Sequence, residues 1–129
     1  MTATGRMRHI TYSSIANGLS REEFRQIVAY STEHNRKLGV RGVIAFDGRV
    51  ITQILEGDGE TVDDLFKMIR RDPRHEGVVL MTRVDIDESQ FASFGMANLS
   101  PSEVFLMSSA IVERYGDGDR SDDPLVLDY

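Results

Sequence analysis

The chain is predicted to fold as an α+β protein with a ferredoxin-like β-α-β-β-α-β-β sheet, two helices on one face and a C-terminal helix beyond. Three observations carry this. First, Asp47-Gly48 lies between the apolar runs Gly42 to Phe46 and Val50 to Leu55, the pattern of a hairpin with a tight turn. Second, helix-start signals bracket that hairpin: Ser20-Arg21-Glu22-Glu23 upstream, and a new amphipathic pattern from Asp58 downstream. Third, strand-like segments stand outside both helical segments, so two β-α-β units interleave.

Composition bounds the function. The chain has 129 residues, enough for one domain with a real core, and 40% of them are hydrophobic. Cysteine is absent, which excludes disulfide frameworks and thiolate metal sites and fits a reducing compartment. No apolar run reaches membrane-span length, and Met1 to Arg8 lacks the apolar core of a signal peptide, so a cytoplasmic protein is expected. The net charge of −6 argues against bulk nucleic-acid binding. From Asp117 onward five Asp and one Arg give −4, which leaves −2 for the body.

Along the chain, Met1 to Gly5 is a lead-in. Met7 to Ser13 is a short strand with Ile10 and Tyr12 on one face and His9 and Thr11 on the other. The helix opened by Ser20 carries Phe24, Ile27, Val28, Ser31, Asn35 and Leu38 at helical spacing; the stripe turns polar in its second half, with His34 beside Asn35. With a two-residue turn at Asp47-Gly48, Ile44 falls opposite Ile51 and Gly42 opposite Gln53. The second hairpin strand is apolar on both faces and should be central, which makes Gln53 an amide in a core position. The next helix buries Val62, Leu65, Phe66 and Ile69, and Pro73 follows its end within Asp72-Pro73-Arg74-His75. Gly77 to Asp85 and Gln90 to Asn98 give two more strands. Ser100-Pro101-Ser102-Glu103 caps a last helix, on which Phe105, Leu106, Ser109, Val112 and Glu113 follow the period only in part. Residues 6–98 therefore read as the domain, 99–115 as a helical extension, and 116–129 as an acidic tail expected to be flexible. A right-handed crossover is expected to set the Tyr12 strand beside the Gln53 strand and parallel to it, letting Tyr12, Asn35 and Gln53 meet.

The motifs of nucleophilic hydrolases, nucleotide-binding loops and metal sites are missing. What remains is a phenol, two amides and an imidazole, suited to hydrogen-bonding an uncharged heteroaromatic edge. Gln53 offers an acceptor at one end of its carboxamide and donors at the other, so rotation or tautomerisation changes the pattern it presents.

From Arg8 to Asn98 the chain resembles the BLUF family, blue-light sensors that use a flavin. The resemblance rests on Ile10-Thr11-Tyr12-Ser13-Ser14, His34-Asn35, Gly42-Val43-Ile44, Gln53-Ile54-Leu55-Glu56-Gly57, Asp72-Pro73-Arg74-His75 and Met96. It implies a noncovalent flavin, FAD or alternatively FMN, between the two sheet-packed helices. It further implies that Tyr12 is the electron and proton donor, that Gln53 relays to the flavin edge, and that Asn35 binds the pyrimidine edge. His34, Asp72, Arg74 and His75 would supply further cofactor contacts, and Met96 on the fifth strand would pass the rearrangement of Gln53 onward. Phe94 stands where many members have Trp, and Met68 where a basic residue often approaches the flavin phosphate.

The expected protein is thus a photoreceptor and not an enzyme, acting on a separate signalling protein and assembling as a homodimer or higher homo-oligomer, with no nucleic-acid or membrane partner. A flavin-free interaction module is the alternative. A flavin-dependent redox enzyme is the third reading, disfavoured by the lack of a nicotinamide motif. Colour and a reversible response to blue light separate the three.

Overall fold

The computed structural model describes residues 6–91 and 95–116, with the backbone alone for 95–98. The elements are β1 (Met7–Ile15), α1 (Arg21–Leu38), β2 (Arg41–Phe46), β3 (Val50–Asp58), α2 (Gly59–Arg70), β4 (Glu76–Ile86), β5 (Gly95–Asn98) and α3 (Pro101–Tyr115). The predicted α+β class and element order are both found. The sheet runs β4-β1-β3-β2-β5, with β3 at its centre as its apolar faces require. Met1–Gly5, Phe94 and the tail beyond Gly116 lie outside the described residues.

Two strand relations differ from the expectation. β1 lies beside β3, but antiparallel, with Tyr12 directly opposite Gln53. The α1 crossover makes β1 and β2 the parallel pair, and the hairpin returns β3 through the lane between them in the opposite sense. The hairpin register is also shifted by two: Ile44 pairs with Gln53, and Gly42 with Leu55. Gly48 and Arg49, not Asp47 and Gly48, occupy the turn centre. The Asp47 N–H donates to the Val50 carbonyl at 3.2 Å, while its carboxylate accepts from the amides of Arg49 and Val50. Gly48 has φ 101° and Arg49 has no positive φ, so the glycine serves the first central position, as in a type II′ turn.

Helices α1 and α2 cover one face of the sheet, with Phe24 of α1 and Val62 and Phe66 of α2 in one core cluster with Ile10, Tyr12, Ile51 and Leu55 of the strands. Both reciprocal bonds of the capping box at Ser20 are present, at 2.9 and 3.0 Å. The chain leaves α1 through a left-handed Gly39, and Val40 then turns into the core; Leu38 is consequently 40% exposed rather than part of the buried stripe. The opposite face carries Val43, Ala45 and Ile54 against Val104 of α3. Here the sequence pattern misplaced the contact: Val104, Ser108 and Ile111 face the sheet, while Phe105 and Leu106 point to solvent. The strand expected over Gln90 to Asn98 is described only from Gly95. The amides of Gln90 and Phe91 bond to the Glu56 carboxylate and the Ser89 hydroxyl, which removes them from a sheet ladder. No helix among the described residues is long and apolar enough to cross a membrane.

Candidate functional site

Beside Tyr12 and Gln53 a cleft of about 140 Å³ opens between α1 and α2. Ile44, Ile51, Leu65 and Ile69 give it apolar walls, and its polar groups come from four places in the chain: Tyr12 on β1, Gln53 on β3, His34 and Asn35 on α1, and Asp72 to His75 after α2. Every described residue of the expected site lines this one cleft. Met96 is the exception: its backbone pairs with Gly42 on β5, two strands from Gln53 with β2 between.

The Tyr12 hydroxyl donates to Gln53 Oε1, across the antiparallel pair. Burial pushes the phenol pKa far above its ordinary value, and the negative charge of Asp72 adds to the rise. The proton is therefore fixed on Tyr12 at neutral pH. The ring packs against Phe66 at 5.4 Å between centroids, which holds its orientation.

Asn35 is 2% exposed, and its carboxamide has no hydrogen-bond partner among the described residues. Its backbone carbonyl accepts the Val40 amide, so the position is fixed while the side chain stays unpaired. An amide buried in this way costs about 1–3 kcal/mol unless something else meets it. Apolar walls with a few polar groups among them, an unpaired carboxamide and the phenol–amide pair lining the same cleft, fit a flat heteroaromatic ring with a hydrogen-bonding edge.

The loop after α2 supports the site in two ways. Arg74 grips Asp72 through Nε and Nη2, with a shortest distance of 2.5 Å, and holds the Asp72 pKa below the usual carboxylate value. His75 bridges the cleft floor to the helix: Nε2 donates to the Ile69 carbonyl and Nδ1 meets Ser14 Oγ, each at 2.6 Å. With both nitrogens taken by protein, His75 positions the wall and has no nitrogen left to offer a ligand.

Two features escaped the sequence pattern. Tyr30, at the cleft mouth, stacks on His34; the spacing of four between two rings was the available signal. The second is a buried polar network on the far face of β3. Glu56 accepts from His9 Nδ1 at 2.8 Å, from Ser89 Oγ at 2.9 Å and from the Gln90 amide at 2.8 Å. His9 Nε2 continues to Thr11 Oγ1 at 2.7 Å, which accepts from Ser108 of α3. Polar residues at alternate positions of a strand buried on both sides were its trace in the sequence. Among the described residues no cluster of His, Asp or Glu could hold a metal ion.

The chain is similar in sequence and in fold to known proteins. The family model for BLUF, "Sensors of blue-light using FAD", matches residues 7–97. Photoactivated adenylate cyclase subunit beta of Euglena longa is 31% identical over 94 residues, which are 70% of this chain but 11% of that protein. The chain therefore spans about a tenth of this relative's length. The dark-state structure of BlrB, a BLUF protein, superposes with a TM-score of 0.72 at 24% identity, over 97% of this chain and 92% of that one, and shows the shared fold. The structure of Klebsiella pneumoniae BlrP1 with FMN and cyclic diGMP matches at TM-score 0.70 and 25% identity, over 83% of this chain and 34% of that one. With the match running from the first residue of β1 through β5, this chain belongs to the BLUF family of blue-light sensors.

Proposed function

We propose that this chain is a blue-light photoreceptor that holds FAD noncovalently in the cleft between α1 and α2 and signals to a separate protein. The observation that carries the reading is the buried, unpaired Asn35 carboxamide, which lines the same cleft as the Tyr12–Gln53 bond. Asn35 binds the polar edge of the ring, the apolar side chains sandwich its faces, and His34, Asp72 and Arg74 complete the mouth. When bound, the flavin supplies absorption of blue light and, once excited, an electron acceptor.

Tyr12 is the donor. Its Oη proton already points at Gln53 Oε1, so loss of an electron from the phenol is coupled to proton movement along that bond. Gln53 then rotates or tautomerises, exchanging donor and acceptor ends, and its neighbours meet a changed hydrogen-bond pattern. The fold relaxes through β5, where Met96 stands, toward a downstream partner. The protein acts in the cytoplasm as a homo-oligomer, and the domain itself does no enzymatic work.

An absorption spectrum of the purified protein before and after blue light tests the proposal. Flavin bands that shift slightly to the red and return in the dark are expected. A colourless preparation that binds neither added FAD nor FMN would overturn it in favour of a flavin-free interaction module.

A further inference from the structure

β4 holds one residue more than a regular ladder with β1 would take, and the extra residue lies beside the phenol. From Met7–Ile86 to Thr11–Thr82 the register is regular, yet the next pair is Tyr12–Leu80, which leaves Met81 as the inserted residue. A second shift follows between Ser13 and Ile15. Such a bulge sets two residues of one strand against one of the other, bends the bulged strand and increases the local twist. It also resets the alternation of β4. A regular strand would turn Leu80 and Thr82 to one face, but here they are divided. Leu80 packs in the cluster of Tyr12 and Phe66 on the cleft side, while Thr82 stands opposite Thr11, whose hydroxyl meets Ser108 of α3. The Met81 sulfur accepts from Ser13 Oγ at 3.3 Å, which keeps the thioether on the α3 side, away from the phenol.

The other edge of β1 has no such break. Its ladder with β3 stays in register from Met7–Asp58 to Ile15–Val50, through Tyr12–Gln53. Directly opposed residues of a regular antiparallel pair stand side by side and point the same way. A tyrosine hydroxyl stands farther from the backbone than a glutamine amide, so it passes beyond that amide unless the ring leans across the pair. Here the two meet, with the Tyr12 hydroxyl donating to Gln53 Oε1. Extra twist, applied to β1 from the β4 edge at the Thr11–Tyr12 step, supplies that lean.

We infer that the β4 bulge at Met81 aims the Tyr12 phenol at Gln53 and makes Met81 a positioning residue for the light-driven pair, an inference that rests on the roles proposed for Tyr12 and Gln53. What is positioned is the backbone that carries Tyr12, so the extra residue matters and its thioether does not. β4 is also an edge strand, and a bulge there blunts the edge against pairing with another chain. The two roles separate by experiment.

The test is deletion of Met81 from the full chain, which leaves Leu80 opposite Tyr12 and Thr82 opposite Thr11 in an unbroken ladder. In the flavin-free protein, proton NMR follows the Tyr12 hydroxyl proton in its buried hydrogen bond, identified by its absence in Tyr12→Phe. The wild type and Met81→Ala, which keeps the extra residue, should show this signal at one position; the deletion should lose it. With FAD or FMN bound, the deletion should form the red-shifted state at least tenfold less efficiently, since misplacing a reacting group by about 1 Å costs on the order of a hundredfold, while Met81→Ala stays within about twofold of the wild type. An unchanged hydroxyl signal in a folded deletion chain, or the same loss in Met81→Ala as in the deletion, would overturn the inference. A deletion chain that self-associates with its photochemistry intact would assign the bulge to edge protection, and one that fails to fold would assign it to the sheet itself; either result overturns the aiming role. If the wild type binds no flavin, the flavin reading fails, and the NMR comparison still decides whether the bulge aims the phenol.

Discussion

Replacing Glu56 by Ala should cost this protein a large part of its stability, although Glu56 lies on the side of β3 away from the cleft. The carboxylate is 1% exposed and accepts three hydrogen bonds, from His9, Ser89 and the Gln90 amide. A hydrogen bond to a charged group contributes about 1.5–3 kcal/mol. Ser89 and Gln90 sit partly in solvent and can recover their partners from water, but His9 is fully buried and cannot. One full loss and two partial ones give roughly 3–5 kcal/mol, against a usual total of about 5–15. Glu56→Gln should be much milder, roughly 1–2 kcal/mol. Its oxygen still faces Ser89 and Gln90, and its amide group can donate to His9 Nδ1 once the imidazole proton moves to Nε2 and is given to Thr11. Urea unfolding with linear extrapolation measures both variants. A loss below about 1 kcal/mol for Glu56→Ala, or equal losses for Ala and Gln, would refute the network as a source of stability.

Four further outcomes are expected. Gln53→Leu should keep bound flavin but abolish the red shift, because leucine has the bulk and neither donor nor acceptor; difference spectra decide this. Tyr12→Phe should likewise bind flavin and lose the normal photocycle, and a full light response would remove Tyr12 as donor. Asn35→Leu should stabilise the flavin-free protein by about 1–3 kcal/mol in thermal or urea melts, by removing an unpaired buried amide, and weaken flavin binding at least tenfold. In alkali, Tyr12 should hold its proton while the chain is folded. Its pKa is raised by burial, so its contribution is fully present below the unfolded value of about 10 and is lost as pH rises beyond it. Phenolate absorbance from Tyr12 should accordingly appear together with unfolding, whereas its appearance in a still-folded chain would contradict its burial.

The sequence exposed what depends on periodicity and caps. Ser20, Ser100 and the alternation in β1 and β3 located the helices, the faces and Gln53 in the core, and the split order of elements placed Tyr12 next to it. Strand direction is less legible, because the right-handed crossover makes β1 parallel to β2 and the hairpin then returns β3 antiparallel between them. The hairpin register slipped because Asp47 can serve either as a central turn residue or, as it does here, as the residue that caps the turn with its side chain. α3 was misread because Phe105 and Leu106 are apolar without being buried, while Ser108, which faces the sheet, is polar. The Glu56 network left only the polar alternation of His9 and Thr11 as a trace. Its partners are spread from His9 to Ser108, and only the folded sheet brings them within hydrogen-bond range.

The alternation of β1 also bears on how reliably the chain finds this structure. A strand buried on both sides is usually apolar on both, and sliding it by one residue then exchanges one greasy face for another at little cost. β1 has no such freedom. His9 and Thr11 are 0% exposed on the α3 side, Ile10 and Tyr12 are 0% and 2% exposed on the other, and each polar group has its own partner. A one-residue slip would drive an imidazole and a hydroxyl into the Phe66 cluster and carry the phenol away from Gln53, a penalty on the order of 1–3 kcal/mol for each stranded group. Since β1 is paired on both edges, to β3 and to β4, that error would also misalign both neighbours. The polar pairs that equip the two faces thus act as a proofreading code for assembly, rejecting the misregistered sheet before either face can be used.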